Sequence, residues 1–98
     1  MKTEYQISII LQLRKIREEL GYSQMGIATI LGLSPGQIGN IESPKAANKY
    51  TLRHIHTLCK TFKVPIEQIF LSDHDFSTGQ DIINLLISKI IKYEYGEK

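Results

Sequence analysis

The chain is poor in the residues that staple or punctuate small domains. Its 98 residues include one cysteine, Cys59, three prolines and no tryptophan. A lone thiol forms no intramolecular disulfide and cannot build a cysteine-rich metal module, so both scaffolds are excluded and a reducing, cytoplasmic setting is expected. Long apolar runs are also lacking. The richest, Ile82 to Ile91, is broken by Asn84, Ser88 and Lys89, and it is too short and too polar to span a bilayer. The opening MKTEYQISIILQLRK carries an acidic residue and too brief an apolar run for a signal peptide, so neither export nor a membrane partner is expected. Charge of one sign is scarce too: 12 Lys and Arg against 10 Asp and Glu leave only +2. As a total, that value announces no nucleic-acid partner.

What is present is helical periodicity. Strict apolar–polar alternation does not recur, whereas a helical spacing returns in segment after segment, so the fold class is all-α. A chain of this length holds one core. Ile9, Leu13, Ile16 and Leu20 form one face of a first helix, Ile7 to Leu20, which Gly21 closes. Ser23 caps a second helix, Gln24 to Leu31, ended by Gly32. Ser34, Pro35 and Gln37 carry the start signals of a third, Pro35 to Glu42. After a loop from Ser43 to Tyr50, Thr51 caps a fourth helix whose buried face is Leu52, Ile55, Leu58, Cys59 and Phe62. Ile66 to Leu71 adds a short fifth. These elements make a compact five-helix domain over residues 1–71. Residues 72–98 are then a polar linker, Ser72 to Gly79, and an amphipathic C-terminal helix, Asp81 to Tyr95, with more apolar residues than one stripe needs.

Two short capped helices joined at Gly32-Leu33-Ser34 have the form of a helix-turn-helix. The strings LRKIREELGYSQMGIATILGLSPGQIGNIES and TLRHIHTLCKTFKVPIEQIF, between Leu13 and Phe70, resemble the lambda-repressor-like (Cro/repressor, XRE-type) DNA-binding family. The resemblance rests on the Leu-Arg start, Gly21, Ser23-Gln24, Ala28, Leu31-Gly32-Leu33-Ser34, Ile38, Ile41-Glu42 and Phe62-Lys63-Val64 taken together. It implies a dimeric transcriptional regulator, most often a repressor, bound to double-stranded DNA with no cofactor. By position, Gln24 would bond a phosphate and brace the recognition helix. Ser34 opens that helix, and Pro35, Gly36, Gln37 and Asn40 fall in its base-reading slots. Ser43, Lys45 and Lys49 are placed to meet the backbone. The chain departs from the family pattern in having Pro35 and Gly36 where longer polar side chains would read bases, in the helix glycines Gly26, Gly36 and Gly39, and in a longer loop after Glu42.

The amides of Gln37 and Asn40 each offer a donor and an acceptor that match the N6/N7 edge of adenine, and their spacing puts them on one face. Gln37 is also suited to a capping box with Ser34, and the two uses compete. Lys45 and Lys49 fit either phosphate contact or a solvated loop. Charge supports the DNA reading once it is divided. Residues 1–65 carry nine basic and four acidic side chains, a net of +5, while residues 66–98 carry three basic and six acidic, a net of −3.

The string His54-x-His56-x-x-Cys59 is better read as two surface histidines and a buried thiol than as a metal site, because His54 and Cys59 lie on different faces. Asp73-x-Asp75 lacks the glycine and later ligands of a calcium loop. No nucleophile elbow, phosphate loop or HExxH pattern is present, so an enzyme is not expected. The last helix either covers the core or pairs with its twofold mate through Ile83, Leu86, Ile87 and Ile90, and pairing is the preferred reading. The alternative class is a protein-interaction module, such as an antitoxin, that binds a protein partner through this helix and holds DNA weakly.

Overall fold

A computed structural model describes residues 1–79 and 81–96. Within them the chain forms seven helices and no strand: α1 (Glu4–Glu19), α2 (Gln24–Leu31), α3 (Pro35–Glu42), α4 (Leu52–Phe62), α5 (Ile66–Phe70), α6 (Asp73–Ser77) and α7 (Ile82–Tyr95). The all-α class expected from periodicity is what is observed. No described helix is long and apolar enough to cross a membrane.

Capping chemistry sets the helix starts. Thr3 and Gln6 satisfy each other's backbone N–H groups in a capping box, so α1 begins at Glu4 and not at Ile7. Ser34 with Gln37 and Thr51 with His54 do the same for α3 and α4. A fourth box, Ser72 with Asp75, folds part of the expected linker into the short α6. The bond from the Ser72 N–H holds the Asp75 carboxyl below its ordinary range. At the helix ends, Gly32 closes α2 in the left-handed conformation, φ 71°, which turns the chain directly into the cap of α3. Lys63 takes the same conformation, φ 57°, after α4 without glycine's freedom.

The core is built from Ile9, Ile10 and Leu13 of α1, Ile27 and Ala28 of α2, Ile38 and Ile41 of α3, the Ile55, Leu58, Cys59 and Phe62 face of α4, and Ile69 and Phe70 of α5. Burial raises the Cys59 thiol to a pKa of about 11, so it is packing material rather than a nucleophile. Leu20, expected on the buried face of α1, is exposed, and Arg17 is buried in its place.

The last helix joins this core. Tyr93 is fully buried, meets Phe70 edge-on at 5.9 Å and donates its hydroxyl to the Tyr50 carbonyl at 2.7 Å. Gln6 in turn donates to the Tyr93 carbonyl at 2.7 Å. On the flank of α7, the ammonium groups of Lys89 and Lys92 lie 5.8 and 4.7 Å from the ring centre of Tyr5. The rotation of α7 follows from that anchor. Leu86 and Ile90, two turns and one turn before Tyr93, pack inward, whereas Ile83, Ile87 and Ile91 face out at 70, 50 and 41% exposure. Of the four residues expected to form a dimer seam, Leu86 and Ile90 pack partly against the core instead of standing fully outward. Ile91 joins Ile83 and Ile87 on the outer stripe.

Candidate nucleic-acid interface

α2 and α3 are short, and glycines at 26, 36 and 39 each cost about 1 kcal/mol of helix propensity relative to alanine. Neither helix would persist alone, so their shared geometry depends on tertiary bonds. The principal one centres on the carboxylate of Glu42, the last residue of α3. Arg17 of α1 grips it with two parallel bonds, Nε to Oε2 at 2.8 Å and Nη2 to Oε1 at 3.0 Å, and the Gln24 amide donates to the same Oε1 at 3.0 Å. The remaining Arg17 nitrogen, Nη1, donates to the Tyr22 carbonyl at 2.7 Å. The guanidinium pKa is raised further by its bond to Glu42. Both charges are removed from water, with 9 and 2% of their side chains exposed. A buried pair of this kind adds little net stability against an apolar substitute but penalises loss of either partner heavily. Its effect here is to fix how α1, α2 and α3 meet.

With Ile38 and Ile41 buried and Glu42 held, the opposite side of α3 stands in solvent. Ser34, Pro35, Gly36, Gln37 and Asn40 are all exposed, and Lys45 lies exposed just beyond the helix end. Ser43 is half-buried, and its hydroxyl accepts from the Lys45 N–H at 3.3 Å. The structure thus leaves most of the expected positions exposed, five of them along α3 and its cap. The two amides differ in state. Gln37 Oε1 accepts the Ser34 N–H at 2.8 Å within the capping box, which leaves its Nε2 as the outward group. Asn40 projects from the same face one turn later.

Gln24 and Lys49 are placed differently. The Gln24 side chain is half-buried and turned toward Glu42, so it braces α2 against α3. Lys49 lies at the far end of the loop, 3.9 Å from Glu94 Oε2 and 5.0 Å above the Tyr93 ring. The loop between Ser43 and Tyr50 is itself secured by a residue that motif reading passes over. The Lys2 ammonium is buried and donates to the carbonyls of Ile41 at 2.6 Å and Asn48 at 2.8 Å, with its pKa lowered by desolvation.

Arg17 and Glu42 also escaped notice as a pair, although a signal exists. Each is a charge four residues after a core position, Leu13 and Ile38, and so sits on an otherwise apolar stripe. Two opposite charges placed this way on neighbouring helices point to a buried bridge.

The charge balance survives this accounting. Lys2, Arg17 and Glu42 are buried, which leaves seven basic and three acidic side chains available at the surface of residues 1–65. As for the His-x-His-x-x-Cys string, His54 Nδ1 accepts the Thr51 N–H at 3.1 Å, His56 faces solvent and Cys59 is buried. His54 is thus a half-buried cap and not a simple surface residue. No group of three or more potential metal ligands occurs among the described residues. No protein-family model, curated protein or solved structure matches the chain.

Proposed function

We propose that the protein is a sequence-specific DNA-binding regulator of the lambda-repressor-like helix-turn-helix type, with α3 as the helix that enters the major groove. The observation that carries this reading is the contrast across α3. One side is fixed to the body through Ile38, Ile41 and Glu42, and the other presents only small or amide side chains to solvent. A helix with a short, polar outer face and a rigid footing can approach base edges closely, and Asn40 has the donor and acceptor that adenine requires. The side-chain donor of Gln37 is available without breaking its cap. Lys45, just beyond the helix, and Lys49, at the far end of the loop that follows, supply positive charge for the DNA backbone.

The protein acts in this reading as a twofold dimer on a palindromic site, with recognition helices about 34 Å apart. The outward stripe of Ile83, Ile87 and Ile91 is the surface that favours self-association, since an isologous contact hides the same residues on both copies. Occupation of an operator would regulate transcription, by repression where the site overlaps a promoter. A protein partner on the same stripe is the competing assignment.

Selection of bound duplexes from a random pool tests the proposal. Enrichment of a palindrome with half-sites about one helical turn apart supports it. Recovery of no enriched sequence by a folded sample at low salt contradicts it.

A further inference from the structure

The C-terminal helix contacts Lys49, one of the residues expected to meet the DNA backbone. This lysine closes the loop that follows α3, and its ammonium lies between two consecutive residues of α7: the ring of Tyr93, 5.0 Å away, and the carboxylate of Glu94, 3.9 Å away. The backbone around it is fixed independently. Tyr93 donates its hydroxyl to the carbonyl of Tyr50, the next residue, and Lys2 donates to the carbonyl of Asn48, the previous one. The backbone is therefore anchored on both sides of Lys49 while its charged end stays partly in water, with 30% of the side chain exposed against 43% for Glu94. A solvent-exposed ion pair at this separation is weak, so a DNA phosphate can compete for the same ammonium.

We propose that Lys49 is shared between Glu94 of α7 and a DNA phosphate, so that α7 both aims this lysine and restrains it from contacting DNA. The inference rests on the DNA-binding reading above and adds a regulatory contact to it. Tyr93 is the positioning residue, because it is buried, fixes the Tyr50 carbonyl and offers the ring over which the ammonium lies. Glu94 is the competitor, because binding DNA requires its partner to leave. Any event that moves the end of α7, including association through the neighbouring Ile91, then changes the charge available to DNA.

A double-mutant cycle on the full chain separates this from a general charge effect. Equilibrium binding to a fluorescent duplex at 50 mM salt is measured for the wild type, Glu94→Gln, Lys49→Ala and the double variant. The expected result is about two- to fivefold tighter binding for Glu94→Gln, in keeping with the modest strength of exposed pairs. That gain is lost when Lys49 is alanine. A gain of the same size in the Lys49→Ala background would show that Glu94 acts only through its long-range field, and no gain in either background would show no competition; both overturn the proposal. The free protein gives a second readout. The Lys49 ε-methylene protons should be shifted upfield by the Tyr93 ring, and Glu94→Gln should move that resonance. If the wild type shows the upfield shift but binds no duplex, the DNA reading fails and the inference falls with it. If the wild type binds DNA while the lysine resonance sits at its random-coil position, the inference alone fails.

Discussion

α3 and α7 are both anchored on one side and bare on the other, and they differ in what anchors them and what they expose. α3 is fastened by two isoleucines and a buried carboxylate gripped by Arg17 and Gln24, and its free side is glycine, proline and amide. α7 is fastened by Tyr93 with Leu86 and Ile90, and its free side carries Ile83, Ile87 and Ile91 beside the exposed Asn84 and Ser88. The bare surfaces therefore suit different partners. The first can meet hydrogen-bonding base edges but offers little apolar area, whereas the second offers apolar area with few polar groups to satisfy. The contrast is what the proposed division rests on, with DNA reading by α3 and association through α7.

Loss of either anchor should have the largest effects. Glu42→Ala leaves the Arg17 charge buried without its partner and should cost about 3–5 kcal/mol of unfolding free energy in urea denaturation. Tyr93→Phe keeps the ring but leaves the Tyr50 carbonyl short of a donor, and it should cost about 1–3 kcal/mol in the same assay. Near-equal small losses would mean that neither contact fixes its helix. Deleting α7 is a poor test of association, since the core loses Tyr93 along with the stripe.

The bare faces are probed by milder changes. Asn40→Ala should lose about 1–3 kcal/mol at one base pair and relax sequence preference there, while Lys45→Ala should weaken all duplexes alike. A uniform loss from Asn40→Ala would move that residue to backbone contact. Replacing Ile83 and Ile87 with serine should change stability of the monomer by no more than about 0.5 kcal/mol per site. The same double variant should shift sedimentation from dimer to monomer; an unchanged sedimentation profile would remove the stripe from the interface.

The smallest expected effect concerns His54, whose Nδ1 accepts the Thr51 N–H only in the unprotonated ring. Burial places its pKa below the ordinary 6.5. As pH falls through 6.5 the unfolded chain therefore takes up the proton first, and stability declines in that window while remaining unaffected above it. His54→Gln keeps a capping-box acceptor and should flatten this decline in thermal melts between pH 7 and 5. An identical slope in the variant would exclude the cap as its source.

How much of this could be read from residues alone follows the range of the interactions. The limits of α2, α3 and α4 lie in the sequence because Ser23, Ser34 with Pro35 and Gln37, and Thr51 act within one helical turn. The boxes at Thr3 and Ser72 are equally local, but they precede segments judged by apolar spacing, and so α1 starts earlier than expected and α6 replaces part of a linker. The face of α7 was not legible. Its surplus of isoleucines permits several rotations, and only burial of Tyr93 against Tyr50 and Phe70 selects one. The polar side of α3 was legible as a set of residues. Its footing was not, since Lys2 meets the Ile41 carbonyl across 39 positions of chain and Arg17 meets Glu42 across 25.

Binding of DNA by the α3 surface and its lysines is measured by a salt titration with duplex DNA. The affinity of the folded protein should fall steeply between 50 and 200 mM salt, by about 10³-fold for six phosphate contacts. Lys45→Ala should make the slope shallower. Failure to bind any duplex at 50 mM salt would contradict the account.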